Sequence, residues 1–108
     1  MTITKNNIFA YIPNTLRDEL IETILQTSNF RIERIVSYGH CSREGFWYDQ
    51  SENELVILLK GNASLRFENK SQLIKMKQGD YVHIEKHVRH RVESTNPEKE
   101  TIWLAVYY

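Results

Sequence analysis

The chain has 108 residues, enough for one compact domain spanning 1–108. Its 14 basic and 14 acidic side chains balance to a net charge of zero, which argues against a general nucleic-acid binder or a polybasic membrane-surface protein. Hydrophobic residues make up 41% and the one cysteine, Cys41, excludes an internal disulfide, so a reducing, cytoplasmic setting is expected for a domain held by its core.

Residues 1–10 carry Lys5 and two asparagines and no long apolar run, so they do not read as a signal peptide, and no stretch reaches the roughly 20 apolar residues of a membrane span. Pro13-Asn14-Thr15 then precedes Leu16, Leu20, Ile21, Ile24 and Leu25, a helical spacing with Asp18 and Glu19 in its first turn. This predicts one short N-terminal helix, about residues 15–27.

From Phe30 the period changes to two: Phe30, Ile32, Arg34 and Val36 face one way, and Arg31, Glu33, Ile35 and Ser37 the other. An aromatic-rich segment, Gly45-Phe46-Trp47-Tyr48-Asp49-Gln50, leads through a polar turn to the apolar run Leu55 to Leu59, which suits a strand buried on both faces. Ala63 to Phe67, Leu73 to Met76, Tyr81 to Ile84, Arg89 to Glu93 and Thr101 to Tyr108 read as further strands separated by turn residues. About eight short strands after one helix predict an all-β sandwich or jelly-roll barrel over residues 30–108, closure of which removes exposed sheet edges.

Two segments carry a family resemblance. Glu54, six residues and Gly61 reproduce the E-x6-G half of the first cupin motif, G-x5-H-x-H-x(3,4)-E-x6-G. The two histidine positions of that motif fall on Tyr48 and Gln50 with the shorter spacing, or on Trp47 and Asp49 with the longer; no His-x-His is present. The second motif, G-x5-P-x-G-x2-H-x3-N, aligns with Gly79, Glu85 in place of Pro, His87 in place of Gly, His90 at the histidine and Ser94 in place of Asn. The chain therefore resembles small single-domain bacterial cupins, whose fold is the double-stranded β-helix.

The resemblance implies a site inside the barrel. A divalent transition metal (Fe, Mn, Ni or Zn) would there be held by Glu54 and His90 with Asp49 and Gln50, a set weakened by the loss of the His-x-His pair. Tyr48, Trp47, His87, Phe67 and Trp103 would contact a small-molecule ligand. His83 alternates with Val82 and Ile84 and is expected to face outward; adjacent His40 and Cys41 point apart and make a poor catalytic pair. Three functions follow as expectations: a metal-dependent oxygenase or isomerase, a metal-free module that binds a small ligand without turnover, or a structural dimer acting through its surface. A homodimer is expected from the resemblance, and Ile3, Ile8, Phe9, Tyr11 and Ile12 near the N-terminus are expected to cover either the partner or the chain's own barrel.

Overall fold

The computed structural model describes residues 1–108 and contains eight strands and no helix. They are β1 (Leu20–Gln26), β2 (Arg31–Ser37), β3 (Glu54–Lys60), β4 (Asn62–Phe67), β5 (Ile74–Lys77), β6 (Tyr81–Ile84), β7 (His90–Thr95) and β8 (Thr101–Tyr107). A five-stranded antiparallel sheet runs β1-β2-β8-β3-β6 and a three-stranded sheet runs β5-β4-β7. No helix is long and apolar enough to cross a membrane.

The expected helix at 15–27 is not formed; residues 20–26 are β1, paired along β2 from Leu20↔Val36 to Gln26↔Arg31. The register slips between Thr23 and Leu25, so Ile24 is an extra residue in the strand. A bulge of this kind adds one residue to the two-residue alternation. It shifts Leu25 onto the face that Leu20 occupies and gives the sequence a spacing that imitates a helix. Ile21, Thr23 and Ile24 are also β-branched, which suits a strand.

Alternation sets the two faces of the larger sheet. Ile35, Trp103 and Leu58 form one inward row across β2, β8 and β3, and Ala105 and Val56 form the next. They meet Leu65, Phe67 and Met76 of the smaller sheet in a core with Ala63 and Ile84. The apolar run Leu55–Leu59 is thus divided. Val56 and Leu58 are buried inside, whereas Leu55, Ile57 and Leu59 lie half-buried on the outer face, so the expected burial on both faces holds only for the inner one. Part of that outer face is covered by the N-terminal segment, whose Ile8 and Ala10 carbonyls accept hydrogen bonds from the Arg34 guanidinium at 3.0 and 2.6 Å.

The chain passes between the sheets at Gly61, with φ of +92°. A Cβ there would stand 2.6 Å from Thr101 Oγ1 and 2.8 Å from Thr101 Cα. The corner therefore needs glycine twice over, for its left-handed backbone and for the close approach of β8. It ends β3 and fixes which of its residues face inward.

Candidate functional site

Glu54 opens β3 in the larger sheet, and His90 opens β7 in the smaller one. Both side chains point between the sheets, and both residues are buried, at 7% and 5% exposure. His90 Nε2 lies 3.7 Å from Glu54 Oε1, an ion-pair distance too long for a direct hydrogen bond. The other ring nitrogen, Nδ1, lies 2.8 Å from the Val88 carbonyl. A carbonyl can only accept, so Nδ1 carries the hydrogen and Nε2 is directed toward the cavity. Gln50 donates from Nε2 to Glu54 Oε1 at 3.0 Å.

Tyr48 is brought beside His90 by an isolated antiparallel bridge. The Tyr48 N–H donates to the His90 carbonyl at 2.7 Å and the His90 N–H donates back at 3.2 Å. Their rings stack, with centroids 5.4 Å apart and planes 24° from parallel. Phe67, paired with His90 across β4 and β7, supports the imidazole from 5.9 Å. The imidazole is thus held by a backbone acceptor and two rings, which leaves one free polar atom.

Around these groups is a cavity of about 120 Å³. Its polar lining is Glu19, Tyr48, Gln50, Glu54 and His90; its walls include Trp103, Tyr107, Ile35 and Val92. Burial first, then the Glu54 and Glu33 carboxylates, push the Tyr107 phenol well above the ordinary tyrosine range. Tyr48 is raised too, by burial and then by Glu19 and Glu54. Both hydroxyls therefore stay protonated across the physiological range and can donate hydrogen bonds.

The positions expected from sequence separate into two groups. Glu54, His90, Gln50, Tyr48 and Trp103 line the cavity. Asp49, Trp47, His87 and Phe67 do not: Asp49 accepts from His87 Nδ1 at 2.8 Å on the exposed rim, and Phe67 lies behind the imidazole. Alternation explains the division, since Tyr48 and Gln50 face in and Trp47 and Asp49 cannot do so as well. His87 has φ of +65°, the left-handed conformation that glycine, the usual residue of the motif at this point, adopts without strain.

Glu19, Ile21 and Tyr107 also line the cavity and were not expected to. Glu19 and Ile21 were hidden by the helical reading of 15–27. Glu19 is positioned by a chain of side chains: the Trp103 indole N–H donates to Ser37 Oγ at 3.2 Å, and the Ser37 hydroxyl donates to Glu19 Oε2 at 2.5 Å. The available signal was the inward series Ile35, Ser37, in which a small hydroxyl follows an apolar residue.

A divalent ion at the Glu54–His90 pair would find one imidazole, one carboxylate and the carboxamide of Gln50; Glu19 lines the same cavity but does not complete a group of three with them. Asp49, the further carboxylate expected to join them, is turned to His87 outside the cavity. No group of three or more His, Cys, Asp or Glu side chains comes together anywhere in the chain. Catalytic zinc sites usually supply three strong protein ligands, so these residues do not fit a tightly held transition metal.

A family model described as the cupin domain, Cupin_2, matches residues 38–107. Among solved structures, a Ralstonia eutropha JMP134 protein described as a candidate mannose-6-phosphate isomerase superposes with a TM-score of 0.94 at 37% identity, covering 97% of each chain. A cupin superfamily protein from Desulfitobacterium hafniense DCB-2 has a TM-score of 0.72 at 16% identity, over 89% of this chain and 82% of that one. An RmlC-like cupin from Desulfovibrio desulfuricans has a TM-score of 0.74 at 11% identity, over 98% and 97%; at such identities the likeness concerns the fold alone. No curated protein matches. The motif spacing, the two-sheet barrel and the matched family model together show that this chain belongs to the cupin family.

Proposed function

We propose that the barrel binds one small organic molecule, without a resident divalent metal, and that Glu54 and His90 are its polar anchors. The observation that carries this reading is the free His90 Nε2 facing a buried carboxylate across the cavity. A ligand polar group placed there would give His90 Nε2 the hydrogen-bond partner that the protein does not supply. The mixed lining, apolar walls with a few convergent polar groups, is that of a small-molecule site.

The Ralstonia protein's description does not supply the substrate. No lysine or arginine lines the cavity to receive the phosphate of a hexose phosphate. Nor does the donor set support a metal-dependent oxygenase or isomerase.

Elemental analysis of untagged protein, with melting curves in added manganese, iron, nickel and zinc, tests the metal-free reading. The expected result is no stoichiometric transition metal and no rise in Tm; one tightly held ion per chain overturns it. An NMR fragment screen tests the location. Shifts should cluster at Tyr48, His90 and Trp103, and hits that leave all three unmoved count against the barrel.

A further inference from the structure

We infer that the ligand class suited to this barrel is a small organic cation, an ammonium of about five heavy atoms; this rests on the reading of the barrel as a small-molecule site. The size follows from the cavity of about 120 Å³, somewhat below the roughly 150 Å³ that accommodates benzene.

The charge follows from the lining. Two carboxylates, Glu54 and Glu19, face the cavity, and no lysine or arginine does. With His90 neutral, the lining carries two negative charges; with His90 protonated, one remains. A groove alongside shares Glu19, Tyr48 and Val92 with the cavity and adds Asp18, so the approach is acidic as well. Three guanidinium groups near the barrel are engaged elsewhere. Arg31 is held by Glu33 and Glu52, Arg34 by Glu22 and N-terminal carbonyls, and Arg91 by Glu93 and the Ser42 and Arg43 carbonyls.

Geometry supplies the second part. The walls include Tyr48 and Trp103, aromatic rings of the kind that attract a cation once water is excluded, whereas the Tyr107 ring already carries the Arg31 guanidinium 4.3 Å from its centroid. Glu19 is held through Ser37 to the Trp103 indole, which couples the carboxylate at the mouth to an aromatic wall. His90 Nε2, on a side chain more than nine-tenths buried, has no hydrogen-bond partner in the protein and can accept one from an ammonium N–H. The raised phenols of Tyr48 and Tyr107 respond in part to the same carboxylates.

Three probes with one carbon skeleton separate charge from shape: isobutylammonium, isobutanol and isobutyrate, titrated at pH 7. The readout is the indole N–H signal of Trp103, distinguished from that of Trp47 with Trp47→Phe. Isobutylammonium is expected to bind at least about tenfold more tightly than isobutanol, with isobutyrate weakest. Glu19→Gln should reduce the ammonium preference at least about threefold. Equal binding of alcohol and ammonium, or a preference for isobutyrate, overturns the cation assignment while leaving a small-molecule barrel in place. If none of the three moves the Trp103 signal, the cation assignment fails; if the fragment screen also leaves the barrel untouched, the binding reading fails with it.

Discussion

Glu54 and His90, 36 residues apart and in different sheets, approach to 3.7 Å across the barrel. Groups this close in a buried setting sense each other's charge, so their substitutions should not be independent. Glu54→Gln and His90→Gln, made singly and together and followed by denaturant unfolding, should give an interaction energy of about 0.5–3 kcal/mol. Additive effects would show that the two side chains do not form a unit.

The Tyr107 phenol has its pKa raised in the folded state, by burial and then by Glu54. The unfolded chain releases that proton near pH 10, while the folded chain retains it. Unfolding is therefore favoured as pH rises above about 10, and the stabilising contribution is complete only below that point. Wild type should lose stability in alkali more steeply than Tyr107→Phe in parallel melting curves. Identical slopes would place the phenol in a more watery setting than its burial implies.

At His87, strain and a rim contact oppose each other. The left-handed backbone, with φ of +65°, disfavours a residue with a Cβ, and the bond to Asp49 is exposed. His87→Gly is expected to be neutral or to stabilise by up to about 1 kcal/mol, and His87→Val to destabilise by more than 1 kcal/mol. Chemical denaturation of both variants reads the difference; the reverse order would mean that the imidazole's contacts outweigh the backbone.

Leu58 is fully buried in the inward row, beside Trp103. Leu58→Ala should cost about 2–5 kcal/mol by removing apolar contact and leaving a void. A loss below 1 kcal/mol would show that the sheets collapse onto the gap.

The outer face of the larger sheet bears Ile32, Leu55, Ile57, Leu104 and Val106, all half-buried, beside the edge strand β1, whose Leu25, paired with Ile32, is about half exposed. This supports the pairing of two copies expected from sequence, with the same apolar face on both sides of a twofold axis. Light scattering should give about twice the 12.9 kDa of one chain, and Leu104→Lys should return the monomer. A monomeric wild type at micromolar concentration would remove the pairing.

The barrel and the Glu54–His90 pair were legible because both rest on spacing: strands alternate every two residues, and the two motifs count positions whatever the intervening letters. Sequence left two registers open before Glu54, and the bridge between Tyr48 and His90 selects the shorter. The β1 strand was not legible because the surplus Ile24 disguised its alternation, and with it went Glu19 and Ile21. The link from Trp103 through Ser37 to Glu19 joins three distant stretches of chain, and no local pattern encodes such a meeting.

Gly61 makes β3 a measured length. Its contact with Thr101 anchors one end, so the number of residues back to Glu54 decides whether that carboxylate turns toward the hollow or away from it. Deleting or adding a single residue between Glu54 and Leu58, ahead of the register slip that Leu59 introduces against β8, would reverse the acid's direction while leaving the composition almost untouched. A relative could therefore replace the outward-facing letters of this stretch and keep its pocket, provided it kept the count.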